Sequence, residues 1–318
     1  METMTYTTQD IWTTWFAVYL FLGGMGAALI ALSTLTDMFL KAHKRLAMWG
    51  TIGGVTLLAA GTLMLFFHLL DKLAVIHLIT PMAIINNPSS WIAWGTQFIV
   101  FTQLTAVLYA LPFVIEEPFF TRFPILGTVL KMNIVKAVAE VAEKNKSLLG
   151  WIAALTGIGT AVYTGLLLQS FPAVVLWHNP LVPLLFTVSA FSTALAYQML
   201  VMHYFIKDSE TDRVFHHYER VDAVLVSIEL VMIFALFNFT LSGSESGYRS
   251  AEILWSSTGW IFGFIGFGLI VPLFLEVKGI FYGWQSKTPV MAASVMVLCG
   301  GFLLRHYFMA AGIYAFPW

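Results

Sequence analysis

Eight stretches of this chain stay apolar long enough to cross a lipid bilayer, and that single feature excludes most of the folds open to a chain of its length. They run approximately over 11–36, 47–71, 90–115, 148–170, 182–206, 220–242, 252–275 and 288–312. A hydrocarbon core about 30 Å thick asks roughly 20 apolar residues of a helix. Inside lipid every backbone N–H and C=O must be satisfied by the protein itself, so spans of this length form helices. Composition agrees, with 59% hydrophobic and 10% charged residues and a mean hydropathy of +0.82. Soluble chains carry about 25% charged residues. The expectation is an all-α, multi-pass integral membrane protein.

Two pieces between the spans are informative. Residues 73–86 are apolar but too short to cross, and Pro81 interrupts them, so they are placed at the interface. Residues 124–146 start apolar and become charged, the pattern of an amphipathic surface helix. The connections after the first, third, fifth and seventh spans hold thirteen of the sixteen Lys and Arg residues, the other side only Lys72 and Arg249. By the positive-inside rule those odd connections face the cytoplasm and both termini face out. The N-terminus has no positive region before its apolar run, so a cleaved signal peptide is not expected.

That orientation gathers aromatic and ionisable groups at one surface. Trp15 and Tyr19 fall near the outer end of the first span, His68 and Asp71 near that of the second. Ser89, Ser90 and Trp91 open the third, and Tyr163 lies in the outer third of the fourth. An uncharged loop follows from Gln169 to Pro183, with Trp177 and His178. Tyr and Trp suit the membrane–water boundary, so this helix end is expected to wall a pocket for an amphipathic redox molecule, a quinone.

Three stretches carry a family resemblance: VYLFLGGMGAAL (Val18 to Leu29), LFFHLLDKL leading to NPSSWIAWG (Leu65 to Gly95), and YTGLLLQSFPAVVLWHNPLVPLLFTVSAFSTALA (Tyr163 to Ala196). Their order and spacing, with eight spans, resemble the NrfD/PsrC family of quinone-interacting membrane subunits of oxidoreductases such as polysulfide reductase. The resemblance implies two four-helix bundles, here residues 1–170 and 171–318, with the quinone site in the first. It implies an extrinsic ferredoxin-like iron–sulfur subunit on the outer face and, beyond it, a catalytic subunit that is often a molybdopterin enzyme. The quinone would be menaquinone or ubiquinone, and the location the cytoplasmic membrane of a prokaryote. In the family a tyrosine on the fourth helix contacts the quinone, for which Tyr163 is the match. The polysulfide reductase branch also uses a histidine and an asparagine on the first helix. This chain has neither there, and Tyr19 and Trp15 are the nearest substitutes.

A quinone needs hydrogen bonds to its oxygens and a route for two protons. A tyrosine hydroxyl such as that of Tyr163 donates without carrying charge, although an ordinary belt tyrosine would look the same in sequence. His68 and Asp71 share a helical face at i, i+3 and suit proton transfer; alternatively Asp71 is a wet helix end beside Lys72. His77 and His178 are weaker candidates. Glu229 stands alone in VLVSIELVMIF, so it is expected to be protonated or paired with a cation such as Arg305 of the eighth span. Proton conduction and a structural Glu–Arg pair both fit that expectation. Asp37 and Asp222, near cytoplasmic helix ends, could extend a proton path from Glu229, although solvated helix ends are the plainer reading. Gly23, Gly26, Gly157 and Gly159 read as close helix packing.

Other classes remain open. A haem b needs two histidines on facing helices, and His68 with His306 is the one conceivable pair, so a haem-b-binding membrane anchor is an alternative. So is a proton- or ion-translocating subunit without its own redox site, although no internal repeat supports it. The single cysteine, Cys299, cannot hold an iron–sulfur cluster, which needs four thiolates. The chain is therefore expected to carry no cluster, haem or metal of its own, and no nucleic-acid partner is expected.

Overall fold

The computed structural model describes residues 4–40, 44–68, 72–206, 209–282 and 287–317, with the backbone alone at His68, Ala74, Ser209, Glu210, Thr211, Phe316 and Pro317. Among these, eight helices are long and apolar enough to cross a membrane. In chain order the elements are strand β1 (Met4–Thr8), α1 (Thr14–Leu35), α2 (Lys44–His68), α3 (Ala74–Ile79), α4 (Met82–Asn86) and α5 (Trp91–Glu116). Then come α6 (Pro118–Thr121), α7 (Pro124–Lys131), α8 (Asn133–Lys144), α9 (Lys146–Gln169), α10 (Leu181–Phe205), α11 (Ser209–Gly243) and α12 (Glu245–Ser256). A wide π-helical stretch (Gly259–Ile270) runs into α13 (Val271–Tyr282), and α14 (Thr288–Ala310) and β2 (Ile313–Pro317) close the chain.

The spanning helices are α1, α2, α5, α9, α10, α11, the π-helix with α13, and α14. The short elements sit where local chemistry stops a helix. Pro118 and Pro124 occupy first-turn positions of α6 and α7, where a missing N–H costs nothing. Ser90 caps α5 by accepting from the amide of Ala93. The surface segment expected as one amphipathic helix is two, α7 and α8, divided at the extended residue Met132.

Helix α1 is the hub, packing on α2, α9, α10 and α14, while α5 bridges α2 and α9. Among the other four, α10 packs on α11 and α14, and α13 on both α11 and α14. Small residues allow these approaches. A Cβ on Gly26 of α1 would come within 2.6 Å of the Leu58 amide nitrogen of α2, and Gly54 of α2 answers with a 2.7 Å approach to the Gly26 carbonyl. Dispersion and close backbone contact, rather than the hydrophobic effect, hold helices together in lipid.

Two features depart from the sequence reading. The chain termini join: β1 and β2 pair antiparallel, and Gln9 ties them down by donating to the Met309 carbonyl at 2.6 Å. The loop after α9 is pulled into this clasp by a bridge between Val174 and Tyr314. Its Trp177, expected at the membrane–water boundary, is wholly buried and donates from Nε1 to the Phe308 carbonyl at 2.8 Å. The seventh span also shifts. Residues 245–256 form the separate helix α12, and the crossing runs from Gly259 to Tyr282, not 252–275. Its Gly-rich first half is π-helical and Pro272 follows, removing one helical donor where the two halves meet.

Candidate functional site

Tyr19 is in the second turn of α1 and Tyr163 two turns before the end of α9, and both are 2% exposed. Because α1 packs directly on α9, the two phenols become electrostatic neighbours deep between the helices. The ring of Tyr163 lies flush against Gly95 of α5, where even a Cβ would come within 2.1 Å of it. Glycine at that position is what lets the ring reach Tyr19.

The Tyr19 hydroxyl is buried and, although the Tyr163 phenol stands close to it, it meets no partner in hydrogen-bonding geometry among the described residues. Buried polar atoms are almost always paired, and an orphan costs about 1–3 kcal/mol. An unpaired phenol facing a second phenol is therefore a place where an oxygen from outside the chain can be bound. A slot lined by Trp15, Phe16, Tyr19, Met64 and Leu65 leads to it between α1 and α2. Its free space is about 10 Å³, room for one water at most. The donor set thus fits a ligand with carbonyl or hydroxyl oxygens, while a ring enters only when the slot widens. Trp15, 61% exposed on the outer lip, and the flexible side chain of Met64 are the groups able to turn aside.

A second polar group lies in the other half of the molecule. Arg305 of α14 is wholly buried and donates to Ser189 Oγ at 2.8 Å, to the Phe186 carbonyl at 3.0 Å and to the Gly301 carbonyl at 2.7 Å. Glu229 of α11 is its electrostatic neighbour, with Ser189 of α10 beside both. Of the two readings of Glu229, protonated or paired with Arg305, no direct ion pair is formed among the described residues: the guanidinium donates to α10 and α14, neither its Nε nor Oε1 of Glu229 has a hydrogen-bond partner there, and the two groups meet as electrostatic neighbours.

Toward the Lys- and Arg-rich end the acids continue. Asp222, for which a solvated end was the plainer sequence reading, is wholly buried, because α11 starts at Ser209 and carries it about three turns further into the helix than a span starting at 220 would. It lies beside Ser192 of α10 and Glu276 of α13. Glu276 is wholly buried and also faces Glu219, and among the described residues no oxygen of Asp222 or Glu276 has a hydrogen-bond partner. Glu219 reaches the surface through His216, whose Nδ1 is 3.2 Å from its Oε2. Sequence reasoning missed Glu276 and Glu219 altogether. Extending the seventh apolar run past Glu276 to Tyr282 would have found the first.

The remaining candidates are scattered. Asp71 lies outside the described residues, and His68 closes α2 with its side chain undescribed. His306 is 3.5 Å from Thr14 Oγ1 and stacks on Phe302. His77 sits on α3, and His178 meets the Gln169 carbonyl at 2.6 Å. Asp37 is no solvated end either: it lies in a π-helical turn (Thr36–Leu40) that continues α1, Tyr109 donates to it at 2.5 Å and Lys146 pairs with it at 2.9 Å, tying that turn to α5 and α9. No three His, Cys, Asp or Glu side chains among the described residues are grouped to hold a metal ion.

Comparison with known proteins returns one family. A model described as polysulphide reductase, NrfD, matches residues 3–317. A polysulfide reductase chain from Wolinella succinogenes is 27% identical over 311 residues, covering 95% of this chain and 94% of that protein. Protein NrfD of Escherichia coli is 26% identical over 321 residues, covering 95% of each. A selenate reductase subunit from Mesobacillus selenatarsenatis is 24% identical over 296 residues, covering 86% of this chain and 68% of that protein.

Proposed function

The chain belongs to the NrfD polysulphide reductase family, and on that premise we propose that it is the membrane subunit through which a reductase-type complex exchanges electrons and protons with quinone in the bilayer. The observation that carries this reading is the unpartnered Tyr19 hydroxyl set against Tyr163 at the head of a slot open to lipid. A quinone supplies the redox chemistry there, as a carrier of two electrons and two protons. Tyr19 and Tyr163 hold its oxygens by neutral hydrogen bonds, which suit a dry site. Gly95 keeps the Tyr163 ring in reach, and Trp15 closes the slot against lipid. His68, which closes α2, and Asp71, three residues further along the sequence, pass protons to water.

The clasp of β1 and β2 with the loop after α9 marks the end of the bundle nearest this site. A ferredoxin-like iron–sulfur subunit docks there, within electron-transfer reach of the phenols, and hands electrons to a catalytic, often molybdopterin, subunit. That end faces out, by the charge bias of the opposite end, across the cytoplasmic membrane of a prokaryote. The eight crossings work as two four-helix bundles, the first for quinone and the second for protons. The named relatives belong to polysulfide and selenate reductases, which supports assembly with a catalytic subunit of that class.

The direct test is labelling. A photoreactive quinone analogue, illuminated in membranes containing the assembled complex, is expected to mark α1, α2 and α9 near Tyr19, Met64 and Tyr163. Labelling confined to α11–α14 would sink the assignment.

One observation favours proton translocation in addition. Glu219, Asp222, Glu276 and Glu229 form a buried succession that starts at exposed His216 and ends beside Arg305. Unpaired intramembrane carboxyls are costly and mark proton routes. Glu276→Gln keeps the shape of the side chain but cannot release a proton. It is expected to leave quinone turnover within about twofold while abolishing proton uptake by proteoliposomes, read with an entrapped pH dye. Undiminished uptake removes this second role and leaves the quinone reading standing.

A further inference from the structure

A groove of about 580 Å³ runs along the lipid-facing side of α11 and α13, away from both polar groups described above. Its length is set by Arg220, Val224, Ile228 and Val231, successive positions on one face of α11, with Val277 and Ile280 of α13 as the opposite wall. At about 1.5 Å per residue, Arg220 to Val231 spans roughly 16 Å, comparable to a fatty acyl chain. The one hydroxyl in the groove, that of Ser227, is already committed to the Ala223 carbonyl at 2.7 Å. Apart from Arg220, then, the surface offers a ligand nothing but hydrocarbon.

Arg220 closes the groove at the Lys- and Arg-rich end of the bundle. It is exposed and makes no ion pair or hydrogen bond among the described residues. A guanidinium presents a fork of donors matched to phosphate oxygens, and basic pockets between spanning helices on that side suit acidic head groups. One free guanidinium over a chain-length apolar trough fits a molecule with an anionic head and a hydrocarbon tail. A second copy of this chain fits less well, since a helix about 10 Å across does not enter such a trough and would trap Arg220 without a counter-charge.

We propose that the α11–α13 groove is a binding site for an anionic phospholipid, phosphate on Arg220 and one acyl chain along Val224, Ile228 and Val231. The inner faces of the same two helices carry Asp222 and Glu276. A chain lodged between α11 and α13 on the outside fixes how those carboxyls meet on the inside.

The test uses the purified full chain, delipidated in mild detergent, with its thermal unfolding midpoint followed as lipid is added. Ligands that bind only the folded state raise that midpoint. Dioleoylphosphatidylglycerol is expected to raise it at concentrations at least tenfold below those at which dioleoylphosphatidylcholine acts, and inorganic phosphate is expected to do nothing. Arg220→Gln should erase the difference between the two lipids while the protein stays folded. Ile228→Trp, which fills the trough but keeps Arg220, should lose the response to both. Equal action of the two lipids, a response to phosphate alone, an unaltered preference in Arg220→Gln, or a dimer mass in native mass spectrometry that lipid does not disperse would each overturn the site.

Discussion

Tyr19→Phe is expected to lower quinone turnover by about tenfold to a hundredfold while leaving the protein as stable as before, or more so. The two effects part because the Tyr19 hydroxyl, although the Tyr163 phenol stands beside it, meets no partner in hydrogen-bonding geometry among the described residues. Removing it deletes one contact to the bound quinone, and a hydrogen bond that is neutral in the resting complex but strengthens to about 1.5–3 kcal/mol as the quinone oxygen gains charge on reduction corresponds to that rate range. It also deletes a buried orphan, which relieves the folded state. Tyr163→Phe is expected to match it in turnover. Gly95→Ala should reproduce the loss without touching either hydroxyl, because the new Cβ would push the Tyr163 ring off its seat. Turnover is measured with a soluble quinol analogue on the assembled complex, stability by thermal unfolding of the same preparation. Full turnover in Tyr19→Phe and Tyr163→Phe, both correctly assembled, would count against the site. A stability loss in Tyr19→Phe would mean that its hydroxyl has a partner in the folded chain.

Arg305→Ala is expected to produce the largest stability loss in the chain, about 3–5 kcal/mol, the usual cost of removing one member of a buried charge group. The guanidinium holds the Phe186 carbonyl and Ser189 of α10 to the Gly301 carbonyl of α14. Its loss removes the link between the two helices and leaves Glu229 with no cationic neighbour among the described residues. The double variant Arg305→Met with Glu229→Gln is expected to recover part of the loss, since replacing a whole buried charged group by neutral ones is far less costly than breaking it. Chemical unfolding in detergent gives the comparison. Glu229→Gln alone separates the two roles open to that residue. If it conducts protons, the variant assembles normally and charge translocation disappears. If its role is structural, translocation per electron survives and stability falls.

Residues Tyr163, Glu229 and Arg305 could be singled out in the sequence because each breaks an apolar run or matches a motif. Asp222 and Glu276 escaped the sequence reading for one reason and Trp177 for another. A hydropathy window ends a span where charges begin, so Asp222 fell at the edge of a span beginning at 220, and Glu276 just past one ending at 275. The structure continues both helices through those points and turns the acids inward, α11 beginning at Ser209 and α13 ending at Tyr282. Trp177 looked like a belt residue because its loop is uncharged, but the pairing of the chain ends at β1 and β2 folds that loop under Phe308. Nothing local to residues 170–180 announces a strand contributed from residue 313 onward.

The sequence by itself determined how many times the chain crosses the membrane, where six of the eight crossings lie within a few residues, and at which end the basic residues collect. These are sums of side-chain transfer energies along a contiguous stretch, and no knowledge of neighbours is needed to add them. The tertiary structure alone decided that Tyr19 faces Tyr163 with an unmade hydrogen bond, that four carboxyls line up in the dry interior, and that Arg305 is held by Ser189, 116 residues away. Burial of a polar atom depends on what packs over it, and in a bundle the covering residues come from helices distant in the chain.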